Sequence, residues 1–281
     1  MTGMVAPRIV RTTSHGVALL GDPTRPSGVT LAFTEREGGV SKGPYESLNL
    51  YDGCGDDPAA VRENRRRVLR AMGIESEAGR LVVPRQVHGD DIVVITDGVA
   101  ELERARAKAR EGADIIVCTA ADVPVLFCFA DCVPVILVAE GGFAIAHSGW
   151  RGTLARVAAK ALRSLCEATG QAPESVNAYI GPHVAGLDYQ VSQELCERFV
   201  RDFGEGALVF PDRVSLGTCV RATLEEAGVA GSRIAACEDS TVTNQDRFFS
   251  YRGSGGVCGR HGAIACLAGE ARQRKEGQSN E

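Results

Sequence analysis

Residues 115–146 read IIVCTAADVPVLFCFADCVPVILVAEGGFAIA, and this stretch decides the fold. Four short apolar runs, 115–118, 125–129, 133–138 and 143–146, are separated by Asp, Pro and Gly. Such runs, rich in Val, Ile and Phe, have the length of strands rather than of helices. Glu140-Gly141-Gly142 is a hairpin tip, since glycine adopts the backbone angles that tight turns demand. This segment is the apolar centre of the molecule.

Upstream, 81–83 and 91–95 read as strands flanking a turn at 86–90, and 101–110 as a polar, exposed helix or a flexible insertion. Asp57-Pro58 starts a helix over 58–72, because Asp accepts an orphan N–H and Pro at the first helical position needs none. Gly73 stands where a C-cap belongs. Residues 28–34 form a strand with a glycine-containing loop at 36–44, and the first 27 residues form an extension with a short edge strand at 8–12. Downstream, the spacing predicts helices over 153–168, 191–199 and 215–227, and strands over 176–180, 234–237 and 262–267. Residues 269–281 are polar and charged, the composition of a disordered tail. Strands and helices mix without a regular βαβ alternation, so the fold class is α+β, one domain over 28–268.

Composition narrows the function. The 281 residues carry 36 acidic and 31 basic side chains, a formal charge of −5. That balance argues against nucleic acid as a partner while leaving room for a local basic pocket that takes a small anion. No signal peptide and no membrane-length apolar run is evident, so a cytoplasmic location with reduced thiols is expected. The ten cysteines include no Cys-x-x-Cys pair, which weakens a redox dithiol and a zinc knuckle. Gly-x-Gly-x-x-Gly, the P-loop and Gly-x-Ser-x-Gly are all missing, which removes nicotinamide, nucleotide-hydrolysing and serine-hydrolase classes.

The five histidines are informative by position. His88, His147, His183 and His261 stand at strand ends, where loops gather functional groups on a rigid scaffold, and His15 lies in the N-terminal stretch. Cys132 lies between two strand runs in Ala130-Asp131-Cys132-Val133-Pro134. His88, Cys132 and His147 offer two imidazoles and a thiolate, a set that zinc accepts with its fourth position open. Their separations of 44 and 15 residues fit a site assembled from three strand ends rather than a finger. The same residues also allow a Cys–His nucleophilic pair, or a buried cysteine near two capping histidines. Copper shares the ligand preference. Arg151, just before the helix over 153–168, is a phosphate candidate, and the single Trp150 is a packing or stacking face.

Several motifs occur in order. They are Phe33-Thr34-Glu35-Arg36, Gly38-Gly39-Val40-Ser41, and Gly43-Pro44-Tyr45-Glu46-Ser47-Leu48-Asn49-Leu50. Gly55-Asp56-Asp57-Pro58 with Val61 and Asn64-Arg65 follows, then Gln86-Val87-His88-Gly89 and the Cys132 segment. His147-Ser148-Gly149-Trp150-Arg151-Gly152 and Ile180-Gly181-Pro182 complete the series. Over about 28–268 the chain resembles the YfiH-like family, long labelled multicopper polyphenol oxidoreductase or laccase. That family is understood as purine nucleoside phosphorylases that also deaminate adenosine. The resemblance implies α/β/β/α layers and one zinc held by His88, Cys132 and His147. It implies phosphorolysis of adenosine, inosine, guanosine and 5'-methylthioadenosine, hydrolytic loss of ammonia from adenosine, and in some bacteria a role in peptidoglycan-precursor fidelity. Five histidines are too few for a multicopper set.

The resemblance has departures. Ser148 stands for the common Ala, His183 for Cys after Gly-Pro, and Arg252 lacks a second Arg after it. Arg151, Arg36 and the metal are the expected phosphate contacts, with Arg260 compensating for the missing Arg. Asp131 is the expected proton carrier in deamination, where the metal activates water. His183 is the expected group near the leaving purine, and Ser47 and Asn49 the ribose or base contacts. The competing classes are a cysteine-dependent hydrolase acting on peptidoglycan precursors and a non-catalytic metal-binding protein. Partners are nucleosides and phosphate, with the chain a monomer or weak homodimer.

Overall fold

The computed structural model describes residues 5–269. Its elements begin β1 (Val10–Ser14), β2 (Val17–Gly21), β3 (Val29–Thr34), α1 (Pro58–Ala71), β4 (Ile92–Ile95), α2 (Val99–Glu111), β5 (Ile115–Cys118), β6 (Val125–Phe129), β7 (Val133–Ala139) and β8 (Gly142–Ser148). They continue α3 (Trp150–Leu154), α4 (Val157–Thr169), β9 (Asn177–Ile180), α5 (Gln193–Phe203), β10 (Leu208–Phe210), β11 (Arg213–Val214), α6 (Leu216–Glu226), β12 (Ile234–Ala236) and β13 (His261–Leu267).

An antiparallel sheet in the order β1-β2-β3-β13-β6 faces a mixed sheet in the order β12-β9-β7-β8-β5-β4. Side-chain alternation sorts the core. Along β7, Ile136 and Val138 point into the layer between the sheets, while Val133, Val135 and Leu137 point to the helices α4 and α6. Along β13, Ala263 and Ala265 face that inter-sheet layer, while Ile264 and Cys266 face α1. Both faces of each sheet are therefore covered, and the layers run helix, sheet, sheet, helix. Each fully buried Phe of the inter-sheet layer, Phe33, Phe127 and Phe129 among them, is worth roughly 1.5–3 kcal/mol of transfer free energy.

Local signals set the helix ends. The Asp57 side chain accepts from the Ala59 N–H at 2.9 Å with Pro58 opening α1, as the sequence predicts. Four differences have physical reasons. The N-terminal extension is not one edge strand and a loop: β1 and β2 form a hairpin that continues the first sheet, because Leu19 and Leu20 are both buried. Residues 81–83 form no strand, only a single bridge from Val82 to Val125. The polar segment 101–110 is helical and packed, since Leu102, Ala105 and Ala109 share a buried face.

The helix expected over 153–168 is two helices. Arg156 takes a left-handed φ of 57° and ends α3, held by hydrogen bonds to Glu226, Thr223 and the Asp202 carbonyl with its guanidinium 3.9 Å from the Phe203 ring centroid. Of the expected tail, only Gly269 falls among the described residues. No helix among the described residues is long and apolar enough to cross a membrane.

Candidate metal centre

His147 has the parity of Phe143 and Ile145 on β8, so its ring points into the inter-sheet layer, 5.4 Å from the Phe129 ring. Cys132 opens the turn into β7, and His88 sits with a φ of 58° in the loop before β4. The three strand ends converge. The Cys132 Sγ lies 3.8 Å from His88 Nε2, and the two imidazole rings stand edge to face at 4.7 Å. One donor atom from each of the three lies within 4.8 Å of the others, the one such group of three or more metal-ligating side chains among the described residues.

The donor set fits a metal on independent grounds. Gly149 is held against it: a Cβ there would lie 2.9 Å from Cys132 Sγ and 3.1 Å from His88 Cδ2, so a side chain would occupy the space of the cluster. His147 uses Nδ1 on the Asp114 carboxylate at 2.6 Å, which leaves Nε2 for the cluster. Burial works to raise the Cys132 thiol, but the charge of His147 and hydrogen bonds from both histidines outweigh it and bring the pKa down to about 6. The same burial, with no imidazole opposing it, raises Cys118 and Cys128 to about 12. Burial disfavours the His147 cation, yet the Cys132 charge and Asp114 raise its pKa to about 9. A thiolate between imidazoles in a half-enclosed site is a soft donor set of the kind zinc takes.

Asp114 is the residue that sequence reasoning missed. Its side chain is fully buried and its oxygens accept from His147 Nδ1 and from the backbone N–H groups of Val87, His88 and Gly89, at 3.1, 3.0 and 2.7 Å. One carboxylate thus orients His147 and shapes the turn that presents His88. A carboxylate at the mouth of the run 115–118, in otherwise apolar text, was the signal available.

Around the cluster each of the other expected site residues has partners of its own. Asp131 adjoins Cys132 with a φ of 86°, but its carboxylate accepts from Thr241 Oγ1, Ser250 Oγ and the Arg252 N–H at 2.7, 2.6 and 2.7 Å. These bonds anchor the segment 240–252 to the residue beside Cys132. His183 faces away: Nδ1–H donates to the Gly181 carbonyl at 2.8 Å, and the ring enters a separate cavity of about 170 Å³ beside Gly217 and Arg221. The bridge from His183 to Ser240 turns its side chain toward α6.

Arg151 lies inside α3, not before a long helix, and its exposed guanidinium stacks 4.3 Å from the Trp150 ring centroid. Asn49 is buried and saturated, donating to Tyr51 O and Asp56 and accepting from the Tyr51 and Arg260 N–H groups. Ser47 Oγ bridges Gly39 N–H and Arg36 O inside the same loop. Both shape that loop rather than offering a free polar atom.

Arg36 donates to the Glu46 and Gln245 carbonyls over the Phe249 ring, and Arg260 Nη1 to the Cys258 and Gly259 carbonyls. The turn 249–252 links this loop cluster to the metal cluster. Phe249 and Tyr251 lie under Arg36 and Arg260, while Ser250 and Arg252 reach Asp131 and the Tyr189 ring. Burial raises the Tyr189 phenol to about 12, with the Cys132 charge adding to it and Arg252 opposing, so Tyr189 belongs to the site's surroundings.

With this geometry in place, comparison with known proteins is decisive. A profile of the family described as multi-copper polyphenol oxidoreductase laccase matches residues 30–268. The chain is a YfiH-family protein. Among its relatives is a Deinococcus radiodurans purine nucleoside phosphorylase, 34% identical over 275 residues that cover 96% of this chain and 98% of the relative. Adenosine deaminase RL5, from an unknown prokaryotic organism, is 30% identical over 82% of this chain and 90% of its own length. The crystal structure of YlmD from Geobacillus stearothermophilus superposes with a TM-score of 0.81 at 30% identity, covering 94% of this chain and all of that one. The YfiH-family fold and the helix, sheet, sheet, helix layering agree.

Proposed function

We propose that this YfiH-family protein is a zinc-dependent purine nucleoside phosphorylase with adenosine deaminase activity. The observation that carries the reading is the His88–Cys132–His147 cluster, pre-organised by Asp114, in a chain whose relatives are named for those two reactions. Zinc held there supplies Lewis acidity and lowers the pKa of water, which suits hydrolytic loss of ammonia. Asp114 keeps His147 in the Nδ1–H tautomer and the cluster poised without rearrangement. Arg151 is the cation free to meet phosphate, since its guanidinium makes a stacking contact with Trp150 rather than an ion pair. Arg252, anchored through its backbone on Asp131, brings a second cation to the Tyr189 ring on the same side. In this reading Asp131 positions Arg252 rather than carrying protons, and Arg36 and Arg260 shape the neighbouring loop wall.

The test is adenosine incubated with zinc-loaded protein, with and without phosphate, and the products separated. Phosphate-dependent adenine and ribose-1-phosphate establish the phosphorylase, and inosine without phosphate establishes the deaminase. The absence of both products refutes the reading. A second reading rests on one observation: Cys132, His147 and Asp114 also line up as thiol, imidazole and carboxylate, the relay of a cysteine hydrolase. The second imidazole, His88 at 3.8 Å from the sulfur, favours the metal. Zinc protection of Cys132 against iodoacetamide supports the metal reading, and alkylation unaffected by zinc supports the hydrolase.

A further inference from the structure

Away from the metal cluster, a cavity of about 710 Å³ opens between α1, α2 and the chain at 81–85. Arg62, Arg65, Arg66, Arg85, Arg106 and Arg110 line it, against one acidic side chain, Asp52. In a chain of net charge −5, six arginines around one hollow run against the average. Leu69, Leu81, Val82 and Pro84 give the hollow apolar surface and Tyr51 an aromatic ring.

Ion pairs within the fold do not consume this charge. Asp52 approaches Arg65 at 3.4 Å, Glu63 and Glu75 hold Arg66, and Glu103 holds Arg106. Arg85 donates to the Glu111 carbonyl, which carries no net charge. Arg62 and Arg110 are exposed and make no hydrogen bond or ion pair among the described residues. Three guanidinium groups are therefore uncompensated. Arg65 Nη2 and Arg106 Nε are in addition buried donors without an acceptor. Convergent cations over low-dielectric walls raise the local concentration of anions.

We propose that this cavity binds a small polyanion carrying two or more phosphate groups on an apolar or aromatic body, the chemistry of a nucleoside di- or triphosphate. Guanidinium forks match phosphate oxygens two at a time, so the two free forks of Arg62 and Arg110, with the uncompensated charge of Arg85 beside them, suit more than one phosphate group. Tyr51 and the apolar wall receive the body. The volume lies within the roughly 300–1,000 Å³ that accommodates one small ligand, and the acidic net charge disfavours a nucleic-acid polymer. None of the cavity's lining residues belongs to the metal cluster, so the inference stands apart from the proposed catalytic reading.

Calorimetric titration of the full chain with ADP tests it. Saturable binding at one site per chain is expected, weakening as salt is added. The double variant Arg62→Ala/Arg110→Ala, altered only at exposed positions, should bind at least about tenfold more weakly while keeping its Tm. Adenosine, which lacks the phosphates, should not displace ADP. Cys132→Ser, which removes a cluster donor, should leave ADP affinity unchanged. Absence of binding by ADP, ATP and pyrophosphate overturns the proposal. So does ADP binding that is lost in Cys132→Ser but kept in the double arginine variant, which would place ADP at the metal cluster. A single-stranded RNA oligomer that binds more tightly than ADP overturns the small-molecule assignment.

Discussion

Replacing Asp114 by Asn removes a charge and leaves the shape intact, which makes it the sharpest test of how the metal centre is built. Oδ1 accepts from His147 Nδ1 and the His88 N–H, and Oδ2 from the Val87 and Gly89 N–H groups. An amide carries one oxygen. Whichever way the Asn side chain turns, its NH₂ confronts two donors, and two hydrogen bonds to a carboxylate are lost in a fully buried place. At roughly 1.5–3 kcal/mol for each bond to a charged group, the cost is about 3–6 kcal/mol. For a chain of this size that is a fall in Tm of about 6–10 °C. Loss of the group that orients a ligating histidine should also weaken zinc binding roughly tenfold to hundredfold. Competition against a chromophoric chelator measures the affinity, and thermal unfolding with and without zinc measures the stability. A variant with zinc affinity within about twofold of the parent refutes the claim that Asp114 organises both histidines.

Three further outcomes follow from the same structure. Cys132→Ser should lose bound zinc and both nucleoside activities together, measured by metal content and product analysis; full phosphorolysis without metal would separate the two reactions. Glu35→Gln should destabilise the fold by about 1–3 kcal/mol in chemical denaturation, because it weakens the bonds that Arg11 and Arg247 make to the fully buried carboxylate at 2.8 and 2.6 Å, while solvent reaches the half-exposed Arg11 and Asp239 still pairs with Arg247. Burial alone would raise the Glu35 pKa, but those arginines hold it below the ordinary carboxylate value, so its contribution is full above the unfolded pKa and is lost as pH falls through the folded one. His261 is buried and its pKa depressed to about 3, chiefly by desolvation, so the unfolded chain takes up a proton first on acidification. Stability should drop by about 2 kcal/mol between pH 7 and pH 5 from this group, and His261→Leu should show a correspondingly shallower slope.

Much of the architecture was legible because apolar periodicity and punctuation are local. The runs within 115–146 became β5 to β8, with the hairpin turning between Ala139 and Gly142. The Asp57-Pro58 cap opened α1 where its chemistry requires. The break at Arg156 was not legible. Helix-forming residues continue across it, and what holds the left-handed turn is a guanidinium reaching α5 and α6, distant in sequence.

The candidate site divides in the same way. Residue types at strand ends made His88, Cys132 and His147 candidates for a metal, and the family resemblance singled them out from the other strand-end histidines; the structure brings the three together. The orientation of loop side chains depends on partners far along the chain. Asp131 turns to Thr241 and Ser250, more than a hundred residues away, and His183 turns to α6 instead of toward the cluster. Asp114 gains its role only when the loop carrying His88 folds back over the start of β5. The basic hollow is likewise a product of tertiary packing, its arginines contributed by α1, α2 and the chain between α1 and β4. Sequence by itself determined most of the strands and the caps, because those follow from residue type and short-range spacing, and it nominated the donor trio with its chemistry left open between a metal and a thiol nucleophile. Only the tertiary structure decided which carboxylate orients the trio and which cations remain unpaired, because hydrogen-bond and ion-pair partners are chosen by proximity in space.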